Sequence, residues 1–240
     1  MSNADLTKLP NKAPEYDLRD LLDAGCHFGH QRNKWNPQMD RFIYTQKDGV
    51  HIFDLAQTAE QLAKAYNYLY KLGQEGKTVL MLGTKRQARE VVKEVAEEAG
   101  MFYITSRWLG GFLTNWEQIG KSLKKMKKIE KNFAEDKYVG YTKFEQAQLK
   151  KELTRLRRFF EGMSDLKKLP DVLIIVDPTR EKIAVKEAAL MAMPIVALVD
   201  TDGDPNLVDI AVPANDDAIK SVSFLVKQFG AAYLQGKNDK

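Results

Sequence analysis

Cysteine is almost absent. Cys26 is the one thiol in 240 residues, so no internal disulfide staples the fold, and a reducing compartment suits it. Histidine is nearly as scarce, with only His27, His30 and His51. Cys26-His27-Phe28-Gly29-His30 groups one soft and two imidazole ligands of the kind zinc uses. No second cysteine completes that set, and no acid stands out as a fourth ligand. The reading carried forward is packing or hydrogen bonding by the histidines, with Gly25 and Gly29 turning the backbone and no zinc or magnesium cofactor required. Long apolar runs are missing too; none reaches the ~18 residues that span a bilayer, so no membrane partner is expected. Met1 to Asp20 carries acids and lacks an apolar stretch, which argues against a secretory signal or transit peptide. Neither G-x-G-x-x-G nor G-x-x-x-x-G-K-[ST] occurs. No Ser-His-Asp or Cys-His pairing is legible. No catalytic residue and no small-molecule substrate are expected.

Charge is present in quantity but unevenly placed. The chain carries 37 Lys+Arg against 33 Asp+Glu, a net of +4. Between Arg107 and Lys168 the count is 16 against 8, so the remaining residues are net negative at 21 against 25. One segment holds the positive field, which points to a polyanionic partner.

The apolar patterning describes an α/β protein. Asp17–Ala24 reads as a short helix, and Gly25–Asp40 as a long irregular stretch of the kind that carries function. Strands are predicted at 49–53, 78–82, 101–105, 171–176, 194–199 and 207–212. Helices are predicted from Asp54 to Leu72, from Gly83-Thr84 to Ala99 with Gly100 as C-cap, over 181–191 and over 216–229. Continuous apolar strands alternating with helices imply a doubly wound parallel sheet, Rossmann- or flavodoxin-like, covered on both faces.

The basic segment interrupts that alternation. Leu113, Trp116, Ile119, Leu123, Met126, Ile129 and Phe133 step by three and four, as do Leu149, Leu153, Leu156, Phe160 and Met163. With Tyr138–Tyr141 as the turn, they predict an antiparallel coiled-coil hairpin inserted in the α/β body. Its outer faces carry Lys121, Lys124, Lys125, Lys127, Lys128, Lys131, Lys150, Lys151, Arg155, Arg157 and Arg158, with Glu130 and Glu152 as the main neutralising acids. The expected organisation is a loose tail (1–16), a core in two pieces (17–106 and 169–236), the hairpin (107–168) and a short C-terminal tail (237–240).

Two polar motifs sit at strand ends. Gly83-Thr84-Lys85-Arg86 lies where a strand meets a helix, a usual anion position in such sheets. Asp200-Thr201-Asp202-Gly203-Asp204 resembles a divalent-cation loop, but its twelfth position is Ala211 rather than Glu. The preferred reading there is a turn; Asp200 and Asp204, with His27 and His30, are the minor metal candidates.

Several runs together resemble one family. Gly25-Cys26-His27-Phe28-Gly29-His30, Trp35-Asn36-Pro37-Gln38-Met39, Gly49-Val50-His51-Ile52-Phe53-Asp54-Leu55 and Gly83-Thr84-Lys85-Arg86-Gln87-Ala88 are similar to segments of bacterial small-subunit ribosomal protein S2. So are Arg107-Trp108-Leu109-Gly110-Gly111-Phe112-Leu113-Thr114-Asn115, Glu187-Ala188, Asp200-Thr201-x-x-Asp204-Pro205 and Asn215-Asp216-Asp217-Ala218. The similarity runs from about Asp17 to Gly236 and departs at Asp202, usually Asn, and Ala214, usually Gly. It implies a structural, non-enzymatic constituent of the bacterial 30S subunit, in the cytoplasm, that binds 16S ribosomal RNA. It also implies protein neighbours, among them the large OB-repeat ribosomal protein that captures messenger RNA.

Three RNA-contact sets are expected. The first is His30, Arg32, Asn33, Lys34, Trp35 and Arg41, with Trp35 either stacking on a base or anchoring its loop. The second is Lys85, Arg86, Arg107, Trp108 and Asn115. The third is the basic hairpin, with Lys121, Lys124, Lys125, Lys128, Arg155 and Arg158. The alternatives are an α/β enzyme holding a phosphorylated ligand at Gly83, or a protein adaptor that uses the coiled coil alone.

Overall fold

A computed structural model describes residues 9–240. Helix α1 (Leu18–Asp23) starts where the Asp17 side chain accepts from the Arg19 N–H. It stops at Gly25 (φ +77°), where the Cys26 N–H reaches back to the Leu21 carbonyl. Then come β1 (Phe28–Gln31), two 3₁₀ turns (Arg32–Lys34 and Pro37–Phe42), β2 (Ile43–Lys47) and β3 (Val50–Phe53). The stretch expected to be irregular thus contains a strand and feeds a three-stranded antiparallel sheet, ordered β1-β3-β2. Its strands are short and largely exposed, so no apolar alternation marked β1 or β2 in the sequence.

The body follows the predicted alternation: α2 (Leu55–Glu75), β4 (Val79–Leu82), α3 (Arg89–Ala99) and β5 (Phe102–Ile104). After two long helices, α4 (Trp116–Ala134) and α5 (Lys143–Phe160), it resumes with β6 (Val172–Val176), α6 (Lys182–Leu190), β7 (Ile195–Val199), β8 (Ile210–Pro213) and α7 (Ile219–Asn238). The five body strands are parallel in the order β5-β4-β6-β7-β8. Numbered along the chain this is 2-1-3-4-5, the doubly wound flavodoxin-like order.

Successive residues of each strand enter opposite layers. Val79, Met81, Ile174, Val176, Val196 and Leu198 pack with α2, α3 and α7. Leu80, Leu82, Leu173, Ile175, Ala197 and Val199 pack with α6, the Trp108–Leu113 segment and α4–α5. That second layer runs without a break from the sheet into Ile119, Leu123, Met126 and Ile129 of α4 and Leu153, Leu156 and Phe160 of α5. The seam residues are therefore buried. Leu149 and Phe133, nearer the far end, are half-buried.

Both chain ends are more ordered than expected. Residues 1–8 of the anticipated loose tail lie outside the described residues, but Lys12 and Ala13 donate backbone N–H bonds to Asn67 Oδ1, at 2.8 Å each. Helix α7 continues nine residues past Phe229, through Gly230 and Gly236, because these glycines let it lie directly on its neighbours. A side chain at Gly236 would strike the Tyr70 backbone of α2.

Candidate nucleic-acid interface

In a doubly wound sheet the ligand crevice opens at the carboxyl ends of the strands, where the strand order reverses. Here that point lies between β4 and β6. Thr84 and Lys85 follow β4, Asp177 follows β6, Asp200 follows β7 and Asp216 follows β8. Lys85 turns inward. Its Nζ lies 2.6 Å from both Asp216 Oδ1 and Asp217 Oδ1, and 3.6 Å from Asp177 Oδ2. Thr84 Oγ1 donates to the Glu181 carboxylate and accepts from Arg180 Nε at 3.1 Å. Lys85, expected among the RNA contacts, has its ammonium surrounded by three aspartates from loops that the sequence spaces far apart.

The electrostatics match that geometry. Burial opposes the Lys85 charge, but Asp216, Asp217 and Asp177 outweigh it and hold the group above its ordinary value. Burial, with Asp200 and Asp177 nearby, raises the Asp216 carboxyl well out of the usual range. His30 Nδ1 lies 2.9 Å from Asp200 Oδ1, and Nε2 lies 3.5 Å from Asp217 Oδ2. Asp200 pushes the imidazole up to about 9 despite burial, so His30 is a cation at neutral pH.

Residues 25–36 cross the carboxyl ends of β7 and β8 and bond to the loops there. His30 N–H donates to Thr201 Oγ1 at 2.8 Å, and Asn36 N–H donates to the Thr201 carbonyl at 2.7 Å. Asn215 donates to the Cys26 carbonyl through its N–H and to the Gly25 carbonyl through Nδ2, each at 3.1 Å. Gly29 has an ordinary φ; its value is space, because a Cβ there would lie 2.5 Å from the Thr201 methyl. A phosphorylated ligand would face Asp177, Glu181, Asp200 and Asp217.

The metal candidates separate. Cys26 is buried and accepts from the Ser221 hydroxyl at 3.3 Å, away from His30. Asp204 instead caps the turn Pro205–Leu207, accepting from the Asn206 N–H at 2.9 Å. His30, Asp216 and Asp217 are the one trio, among the described residues, whose ligand atoms lie within 4.8 Å of one another. Lys85 already supplies the cation to both carboxylates there.

The remaining expected contacts divide by exposure. Arg32, Asn33, Lys34 and Arg41 are exposed around the loop, and Arg41 lies over the Phe42 ring at 4.7 Å. Trp35 is half-buried with its ring 5.0 Å from that of His51, so it anchors the loop while keeping one part open. Arg86, Arg107 and Asn115 are exposed. Trp108, by contrast, is 4 % exposed and packs edge-on against Phe112.

Trp108 belongs to a feature not read from the sequence. The buried Glu187 carboxylate of α6 accepts from Trp108 Nε1 (3.1 Å), Gly111 N (2.7 Å), Leu113 N (2.9 Å), Thr114 N (3.2 Å) and Thr114 Oγ1 (3.3 Å). Burial raises its pKa, but the Trp108 and backbone donors outweigh that and leave it below the ordinary glutamate value. Glu187 thus ties the root of α4 to helix α6 of the body. The available signal was an acid on the same helical face as the buried Ala184 and Ala188.

On α4 and α5 the charges are less naked than local spacing implied. Lys125 meets Glu152 at 2.6 Å, Arg157 meets Glu130 at 2.7 Å, and Lys127 meets Asp165 at 2.8 Å. Lys121 pairs with Glu117 at 2.8 Å, and Arg155 reaches Glu152 only at 4.0 Å. Lys124, Lys128, Lys151 and Arg158 are exposed and carry no ion pair among the described residues.

Residues 21–236 match the family model described as Ribosomal protein S2. The chain belongs to the ribosomal protein S2 family. It is 44% identical over 223 residues to the small ribosomal subunit protein uS2 of Thermus thermophilus, a match covering 93% of this chain and 87% of that relative. The matched S2 span contains the crevice, the Glu187 anchor and both long helices. Of its two departures, Ala214 is fully buried with an ordinary φ, so the methyl is accommodated, and burial raises the Asp202 carboxyl.

Proposed function

We propose that this S2-family chain is a non-enzymatic structural constituent of the small ribosomal subunit that binds 16S ribosomal RNA. The observation that carries the reading is the match over 93% of the chain to a relative named as a small-subunit protein. The exposed Arg32, Lys34, Arg41, Arg86 and Arg107, with the unpaired cations of α4 and α5, are suited to phosphate and to RNA shape rather than to base edges. In this reading α4 and α5 form an antiparallel coiled-coil arm within residues 107–168, inserted between core segments 17–106 and 169–236. At 19 and 18 residues, its helices reach about 27 Å at 1.5 Å per residue. The protein would work in the bacterial cytoplasm beside other small-subunit proteins, including the OB-repeat protein.

Sedimentation of the tagged chain tests this directly. Co-migration with 30S particles at moderate salt is expected, and its absence rejects the proposal. The acidic residues around Lys85 disfavour the enzyme alternative; a nucleotide at 100 Kd should raise stability by about 2.7 kcal/mol if that alternative holds. No helix among the described residues is long and apolar enough to cross a membrane.

A further inference from the structure

At the far end of the two long helices the surface changes character. Val139 is 74 % exposed, Phe144 is 71 % and Tyr141 is 48 %. They occupy the turn between α4 and α5 and the first turn of α5. Single exposed apolar residues are ordinary, but here three cluster on one short reversal.

The reversal is built rather than frayed. The Tyr138 ring packs edge-on against Phe133 at 4.8 Å and Tyr141 at 5.0 Å. Asn132 Nδ2 donates to the Tyr138 hydroxyl at 3.0 Å. Gln146 Nε2 donates to the Tyr138 and Tyr141 carbonyls, at 3.0 and 3.1 Å. Thr142 and Glu145 cap α5 reciprocally. The apolar groups stand out from a frame that is already ordered, which lowers the entropy cost of docking them.

Charge decides what they dock against. Residues 135–145 carry three acids (Glu135, Asp136, Glu145) and two lysines (Lys137, Lys143), a net of −1 within a segment that is otherwise strongly basic. Lys137 is paired with Glu135 at 2.5 Å, while Asp136 and Lys143 carry no ion pair among the described residues, so the unpaired charges of the tip balance. An RNA strand would find little positive field there, and Val139 offers no π-face for a base. A protein surface with an apolar pocket and a cation at its rim fits both the exposed side chains and Asp136.

We propose that this tip is a protein-docking knob. Val139, Tyr141 and Phe144 enter an apolar pocket on a folded protein bound beside this chain, an inference that rests on the ribosomal reading. Three side chains form a contact too small to hold a complex alone. Once the basic faces are on RNA, the same contact acts at high effective concentration and adds to the whole.

The test uses the full-length chain and its V139S/Y141S/F144S variant on two probes: small subunits depleted of this protein, and protein-free 16S ribosomal RNA. The variant should lose about tenfold in affinity for the depleted subunits and keep its affinity for naked RNA. Equal loss on both probes means that the tip meets RNA, and overturns the proposal. So does no loss on either. If the unaltered chain binds neither probe, the ribosomal reading itself fails, and the knob with it. Circular dichroism confirms folding; should the triple variant lose helix, Phe144→Ser alone carries the same two-probe comparison.

Discussion

Replacing Glu187 with alanine should loosen the joint between the α/β body and its two long helices. The carboxylate takes bonds from Trp108 Nε1, from the N–H groups of Gly111, Leu113 and Thr114, and from the Thr114 hydroxyl. Hydrogen bonds to a charged acceptor contribute about 1.5–3 kcal/mol each, and a buried donor left without a partner costs about 1–3 kcal/mol. The terms do not add, because water can reach the half-buried Gly111 and the exposed Thr114 once the side chain is gone. The Leu113 N–H and the Trp108 indole stay enclosed. Counting chiefly those two, Glu187→Ala should cost about 3–5 kcal/mol, a large part of the roughly 5–15 kcal/mol that holds a domain. Glu187→Gln keeps one acceptor but turns an amide NH₂ toward N–H donors, so it should recover only part of the loss. Urea denaturation gives the magnitude, and amide exchange at Gly111 and Leu113 gives the location. The folded-state pKa of Glu187 is lowered, so its stabilisation is full above the unfolded value near ~4.3 and fades as pH falls through the folded value. The gap between wild type and Glu187→Ala should narrow in acid accordingly. A cost below about 1 kcal/mol with unchanged protection at Gly111 and Leu113 would refute the reasoning.

Other outcomes follow from the same structure. The His30 imidazole is raised to about 9, so its contribution is full below ~6.5 and is lost as pH rises through 9. His30→Gln should therefore cost up to roughly 3 kcal/mol at pH 6 and little at pH 10 by urea titration; a pH-independent cost would contradict the Asp200 contact. Gly236→Ala should destabilise by about 1–3 kcal/mol in thermal melts, although alanine ordinarily favours a helix interior, because its methyl meets the Tyr70 backbone. Reversing Lys124 and Lys128 to glutamate should flatten the salt dependence of RNA binding by a slope of about 1.5, whereas Lys127→Gln, already paired with Asp165, should change it less. Equal effects would show that ion pairing does not sort these lysines.

The distribution of charge changes how the basic helices are understood. Counting acids four residues away on one helix missed the pairs that cross between helices, such as Lys125–Glu152 and Arg157–Glu130. The free field is therefore carried by Lys124, Lys128, Lys143, Lys150, Lys151 and Arg158.

Local pattern was sufficient wherever one periodic signal matched one environment. Val172–Val176 and Ile195–Val199 are apolar throughout because both sheet faces are covered, so they read as buried parallel strands. Gly100 ends α3 in the left-handed conformation that its sequence position implied. Strands β1 and β2 were illegible because they are short, exposed and held by pairing with β3 rather than by a buried face. Only the tertiary structure decided what the polar residues do. Lys85 and Trp108 were expected among the RNA contacts, and Glu187 carried no role of its own in the sequence. Their partners lie 73 to 132 residues away, brought together by the folded topology. A sequence specifies burial through local periodicity; it specifies the partner of a charge only through the folded topology.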